Sequence, residues 1–182
     1  MLKIYRKNAG YAIDIGGDKN MVELRDITFE NVNKIIKLKR KFFQRKFVES
    51  PADTISFAYA GINNGYPGFA SAIYSDGETV GLILIGRGPV GDSEPEIIKQ
   101  NDNVYRLVGF FVDKRFQHRG IGRVALKLAL EKVKEYPEGD SLPIVLECHK
   151  RNKGAMKLYE SFGFINTGAE RNKHYICVRL SK

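Results

Sequence analysis

The chain has no apolar run approaching the roughly 20 residues that span a bilayer, so a membrane protein is not expected. Lys3, Arg6 and Lys7 near the start are followed by no apolar stretch, which argues against a signal peptide. There are only two cysteines, Cys148 and Cys177, and both fall in apolar strand-like runs. They read as buried free thiols of a cytoplasmic protein, and the spacing of cysteine and histidine offers no metal site. No Gly-x-x-x-x-Gly-Lys-Ser/Thr occurs, which excludes a P-loop. Internal repeats and low-complexity tracts are absent. Acid is in deficit: 21 Asp and Glu against 30 Lys and Arg leave a net charge of +9. Such a charge attracts polyanions, nucleic acid included. Yet the basic residues are scattered. The densest run, Lys37, Lys39, Arg40, Lys41, Arg45 and Lys46, sits on a helical pattern and reads as a solvated face, so a nucleic-acid partner is not favoured.

What is present is ordinary for a globular chain: 43% hydrophobic and 28% charged residues over 182, enough for one domain with a sizeable core. Residues 1–20 stand apart, because Met21 offers a second start and 22–27 reads as a first strand. In that leading segment Ile4/Tyr5 and 11–15 alternate about Asn8-Ala9-Gly10, as either a hairpin or a loose arm. Thr28 is expected to cap a helix whose buried face carries Phe29, Val32, Ile35, Ile36, Phe42 and Phe43. Ser50-Pro51 opens a second helix bearing Ile55, Phe57, Ala58, Tyr59 and Ile62 and ending near Asn63-Asn64-Gly65. Residues 68–74 and 79–85 are strands joined at Asp76-Gly77, a hairpin signal. A loop over 88–103 carries Asp92, Glu94, Glu96 and Asp102. A strand over 104–112, a helix over 119–134 stopped by Pro137 and Gly139, a strand over 143–148, a short helix over 153–161 with Gly163 behind it, and strands over 164–167 and 174–180 complete the chain.

Between the strand at 104–112 and its helix lies Gln117-His118-Arg119-Gly120-Ile121-Gly122. A loop poor in side chains that opens a helix gathers unpaired backbone N–H groups where the helix dipole adds partial positive charge. That combination suits a phosphate or pyrophosphate, and Gly120 and Gly122 would let it approach the backbone. Gly120, Gly122 and Ala125 also fit a dinucleotide fingerprint with Glu147 downstream. However, Asp113 to Phe116 intervene between strand and glycines, and too little chain follows Glu147 for the rest of a doubly wound sheet. A glycine-rich helix start with no ligand remains open on this hexapeptide alone.

The hexapeptide also matches Gln/Arg-x-x-Gly-x-Gly/Ala, the pyrophosphate loop of acyl-CoA-dependent acetyltransferases. A second motif joins it. Leu146-Glu147-Cys148-His149-Lys150-Arg151-Asn152 leads into Ala155-Met156-Lys157-Leu158-Tyr159-Glu160-Ser161-Phe162-Gly163-Phe164. With both motifs, residues 22–180 resemble the GNAT superfamily of N-acetyltransferases. Phe47-Val48-Glu49-Ser50, Gly81-Leu82-Ile83 and Phe110-Phe111-Val112-Asp113 look most like bacterial spermine/spermidine acetyltransferases.

The resemblance implies an α/β (α+β) fold. Its single mixed, mostly antiparallel sheet would have about seven strands, flanked by about four helices and splayed at the centre. An N-terminal extension (1–20) would precede an N-acetyltransferase domain (21–182). It implies acetyl-CoA as cofactor, held by the backbone of Gly109, Phe110, Phe111 and Val112, by Gln117, His118, Arg119, Gly120, Ile121 and Gly122, and by Asn152. Phe110 and Phe111 are expected to pack in the core through their side chains. Tyr159, two helical turns beyond Asn152, would protonate the departing CoA sulfur, or else simply pack. Glu147 is the candidate base, or else a structural carboxylate. The position where polyamine-type relatives place an acid holds Val108, so water is the other route for the proton. The implied substrate is a small-molecule amine. A polyamine such as spermine or spermidine would need local carboxylates against the +9, and Glu49 is the candidate substrate contact, with the 88–103 loop acids beside it. A protein N-terminus or lysine as acceptor and a catalytically silent acyl-CoA-binding regulator are the alternatives, and a homodimer is left open.

Overall fold

The computed structural model describes residues 4–7, 10–14, 21–41 and 48–181. One mixed sheet of nine strands runs through it: β1 (Ile4–Lys7), β2 (Gly10–Asp14), β3 (Met21–Asp26), β4 (Gly68–Ser75), β5 (Glu78–Pro89), β6 (Asn103–Val112), β7 (Ile144–His149), β8 (Ile165–Arg171) and β9 (His174–Arg179). Their spatial order is β1-β2-β3-β4-β5-β6-β7-β9-β8, and every pairing is antiparallel except β6 with β7. Among the described residues four α-helices accompany it: α1 (Val32–Ile36), α2 (Pro51–Asn63), α3 (Ile121–Lys132) and α4 (Lys153–Glu160). The expected sheet of about seven strands is thus larger by two. The leading segment is a hairpin, not a loose arm, and β2 hydrogen-bonds to β3 with Ile13 fully buried.

Local chemistry accounts for the elements. Ser50 accepts from the Asp53 N–H while the Asp53 carboxylate takes the Ser50 N–H, a capping box that starts α2 with Pro51 behind it. Asp76 and Gly77 both have positive φ, as a type I′ hairpin turn requires. Helix α4 closes in a Schellman motif: Gly163 N–H bonds Glu160 O, Phe164 N–H bonds Tyr159 O, and the Tyr159 and Phe164 rings meet at 5.8 Å.

The first helix departs from expectation. It is five residues long, Asn31 rather than Thr28 stands at its N-cap, and the Thr28 N–H instead donates to Asn31 Oδ1. Phe29 is 99% exposed, and Phe42 and Phe43 lie outside the described residues. Helix spacing fails after Ile36 because the following backbone is claimed elsewhere. Lys39 N–H donates to the buried Asp113 carboxylate, and Lys39 O accepts from Lys114 N–H. The basic run at 37–41 is therefore not a helical face, and Arg45 and Lys46 lie outside the described residues. Arg40 reaches Val48 O.

The feature that shapes the site is in β6. Leu84 pairs with Gly109 but Ile85 pairs with Leu107, so Val108 is an extra, bulged residue. The bulge swaps the faces of the strand. Tyr105 and Leu107 before it, and Phe110 and Val112 after it, join the core under α3, while Phe111 joins the core under α1. Gly109 lies beneath α2: a Cβ there would stand 2.7 Å from Thr54 Cγ2. Replacing Gly109 by Ala is expected to destabilise the fold by about 1–3 kcal/mol through overpacking, and adding Thr54→Ser should recover part of that loss. Urea unfolding of the single and double variants checks this; strictly additive losses would mean that the two residues do not meet.

Candidate active site

Strands β6 and β7 pair in parallel only from Tyr105 to Leu107 against Ile144 to Leu146. Beyond that point β6 continues to Val112 and β7 to His149 without a ladder between them. The gap is the floor of a cleft of about 930 Å³, lined by Leu107, Val108, Phe110, Phe111 and Val112 on one side and Val145 to His149 on the other. Backbone groups of a strand edge facing such a gap can pair with an extended ligand as with another strand.

At the mouth, α3 begins. Gly120 is its N-cap at φ 78°, a left-handed conformation that favours glycine. His118 is also left-handed (φ 65°). The Arg123 and Val124 N–H groups close the first turn onto Gly120 O, so the N–H groups at the helix start have no intrahelical acceptor. Gln117 Nε2 donates to Val112 O at 2.8 Å and ties the loop to the end of β6. Asp113, fully buried, holds the turn between them: it accepts from Lys39 N–H and Arg115 N–H and from the Arg115 side chain. Burial alone would push its carboxyl up, but the Arg115 and backbone hydrogen bonds outweigh this and hold it below the ordinary carboxylate range. Arg119 donates to Arg115 O and stacks on Phe116. Ile121 is buried under the helix start. A Cβ on Gly122 would meet only ordinary contacts, Phe110 at 3.7 Å being the nearest. The protein itself therefore does not demand glycine there, whereas a ligand lying on the helix N-terminus would.

On the β7 side, Asn152 lines the cleft and is the N-cap of α4, its side chain accepting from Ala155 N–H at 3.3 Å. Tyr159 lines the same cleft and is only 8% exposed. Burial pushes its phenol above the ordinary range, so it is protonated at neutral pH. Cys148 lines the cleft beside it, and Cys177 is buried behind. Burial pushes their thiols up to about 12 and about 11, which keeps both inert.

Glu147 lines the cleft, but Arg171 donates to it at 2.8 Å. Arg171 also reaches Ser93 Oγ and Glu94, and Glu94 accepts from Arg106 at 2.8 Å. This ion-pair chain revises the idea that the 88–103 acids rim an acceptor groove. Glu94 is buried and neutralised by two arginines, and Glu96 is paired with Lys99. Glu49, exposed, does line the cleft, while Phe47 of its motif lies outside the described residues. Sequence reading missed Arg171 as the partner of Glu147, because only the β7–β9–β8 register brings them together. It also missed His174, which meets His149 edge-on at 5.0 Å across β7 and β9.

A cleft at splayed parallel strands, floored by a bulged strand edge and headed by a helix N-terminus, defines an acyl-CoA-type binding fold. The chain belongs to the acetyltransferase (GNAT) family, whose model matches residues 32–164. That family uses acetyl-CoA. Over 92 residues the chain is 32% identical to the spermine/spermidine N(1)-acetyltransferase of Bacillus subtilis, covering 50% of this chain and 56% of that protein. The chain thus spans about half the length of that curated relative. A shorter stretch of 54 residues is 41% identical to N-alpha-acetyltransferase 30 of Xenopus laevis, covering 30% of this chain and 19% of that one. Among solved structures, the PaiA N-acetyltransferase of Thermoplasma acidophilum in complex with coenzyme A superimposes with a TM-score of 0.61 at 16% identity, over 87% of this chain and 98% of its own. An acetyl transferase of Salmonella typhimurium that modifies the N-terminal serine of a 50S ribosomal subunit protein gives 0.57 at 19%, over 89% and 92%. At these identities the structural likeness concerns the fold.

Gly122→Ala is expected to leave thermal stability unchanged or slightly raised, since the Cβ fits and alanine favours the helix, while weakening CoA binding about ten-fold or more. Calorimetry checks this, and unchanged affinity would remove the α3 N-terminus from the ligand.

Proposed function

We propose that the chain transfers the acetyl group of acetyl-CoA directly to a primary amine. The observation that supports this best is the convergence on one cleft of a bulged strand edge, an open helix N-terminus and a buried, protonated phenol. In this reading the N–H groups of Gln117 to Gly122 hold the pyrophosphate, with Asn152 a further cofactor contact at the start of α4. The backbone of Gly109 to Val112 holds the pantetheine arm and donates to the thioester oxygen. A preorganised donor of that kind is worth about 10²–10³ in rate. The amine nitrogen forms the new C–N bond as the C–S bond breaks. The amine gives up a proton to Glu147 or to water, and Tyr159 returns one to the departing thiolate. Burial keeps the Tyr159 proton in place at neutral pH, where it is available to the departing thiolate. Glu147 would act from within its pair with Arg171, and Val108 leaves no second carboxylate on β6.

Tyr159→Phe keeps the ring and its contact with Phe164 but removes the proton. Turnover should fall by about 10²–10⁴ with acetyl-CoA affinity nearly unchanged. Wild-type turnover in the variant would leave Tyr159 a packing residue.

For the acceptor, likeness to the Bacillus enzyme favours a polyamine, with Glu49 as the carboxylate for a distal ammonium. A protein N-terminus is the second reading, favoured by the stretch shared with N-alpha-acetyltransferase 30. Glu49→Gln should raise the KM for spermine several-fold more than that for a monoamine. Equal effects on both amines, or no spermine turnover by the wild type, would end the polyamine reading while leaving amine acetylation standing.

A further inference from the structure

Beside the cleft, between α2 and strands β4 and β5, lies a second hollow of about 230 Å³. Phe57, Arg106 and Val108 line both, so the two meet at the bulge where the reacting groups converge. Missing side chains make the hollow. Gly68 and Gly86 face each other across β4 and β5, and a Cβ on Gly68 would strike Ile85 O at 2.5 Å. A Cβ on Gly61 of α2, or on Gly86, would meet nothing within 4 Å.

The walls are apolar and unusually open. Phe57 is 55% exposed, Ile62 63% and Val108 47%, and all three border this one hollow. Clustered exposure of large apolar side chains marks a binding surface more often than scattered exposure does. Among the described residues, the charged side chains lining it are Arg87 and Arg106, and each is already ion-paired, to Glu138 at 2.5 Å and to Glu94 at 2.8 Å. No carboxylate among the described residues lines it. An ammonium placed there would lose its hydration without gaining a counter-ion, at high cost. An uncharged hydrocarbon arm would instead gain about four-fold in affinity for each methylene it buries.

We propose that this hollow is the specificity pocket of the acceptor site and takes an uncharged apolar arm, so that the preferred acceptor is a primary amine carried on an alkyl or aryl group. A polyamine would have to place its second ammonium elsewhere, towards Glu49. The inference rests on the amine-acetylation reading and not on the polyamine one.

The probes are propylamine, hexylamine and spermine, tested on the full chain and on Gly61→Leu. That substitution puts bulk into the hollow from a position where a Cβ has free space, in the last turn of α2, so the fold should hold. Two readouts are taken: kcat/KM for acetylation, and the amine-dependent rise in Tm with CoA present. In the wild type, hexylamine should exceed propylamine by about ten-fold or more in kcat/KM and give the larger Tm rise. In Gly61→Leu both advantages should disappear while propylamine is turned over as before. Hexylamine no better than propylamine in either readout, or an advantage that survives Gly61→Leu, overturns the pocket. If hexylamine raises Tm in a Gly61-dependent way but no amine is acetylated, the pocket stands and the acetylation reading fails. If all the amines are acetylated without regard to chain length, acetylation stands and the pocket fails.

Discussion

One extra residue in β6 organises this molecule. Val108 has no partner on β5, and the shift it introduces turns Gly109 to Val112 to opposite faces from those that simple alternation would give. The same distortion ends the parallel ladder with β7 after three residue pairs. A continuous sheet would have left no room between the two strands, since paired strands lie only about 4.8 Å apart. The bulge therefore converts hydrogen-bonding capacity that a sheet would consume into a surface that faces a cleft. Gly109 is part of this arrangement, because only a residue without a Cβ lets Thr54 of α2 sit directly on the bulge.

The electrostatics follow from the same geometry. Where the β6–β7 ladder ends, Arg106, Glu147 and Arg171 are not left with uncompensated charge. Instead Glu94 reaches in from the 88–103 loop and joins Arg106 on β6 to Arg171 on β8, which in turn holds Glu147 on β7. The chain of ion pairs lies over the end of the β6–β7 ladder, where the gap opens. At the other end Asp113 ties the start of the α3 loop to the segment after α1. One wall of the cleft thus carries positive helix-end dipoles, and the opposite wall carries a neutral phenol held by the Schellman closure of α4. That division suits a ligand with anionic phosphates at one end and a leaving group that needs a proton at the other.

Much of this was legible in the residues. Strands 22–27, 68–74 and 174–180 and helices α2, α3 and α4 fall where periodicity, Asp76-Gly77, Ser50-Pro51 and Gly163 place them, because each signal is local and chemical. Gln117, His118, Gly122, Asn152 and Tyr159 line one cleft, as two motifs at fixed separation imply. The misreadings share a physical cause, which is that distant partners override local pattern. The helical spacing fails after Ile36 because Asp113 and Lys114 capture the backbone at Lys39. Of the acids at 88–103, Glu94 looks free in the sequence but is neutralised by Arg106 and Arg171, whose approach depends on sheet register. The extra strands arise because alternation at 11–15 cannot by itself say whether β3 has an open edge.

The account depends on a phosphate-bearing thioester carrier lying along the bulged edge of β6 with its phosphates on α3. Backbone amide hydrogen exchange, with and without saturating CoA, tests this most directly. Exchange is expected to slow in two separate segments, 108–112 and 118–122, while the β4–β5 turn at 75–78, outside the cleft, keeps its rate. Protection confined to other parts of the chain, with both segments unchanged, would contradict it.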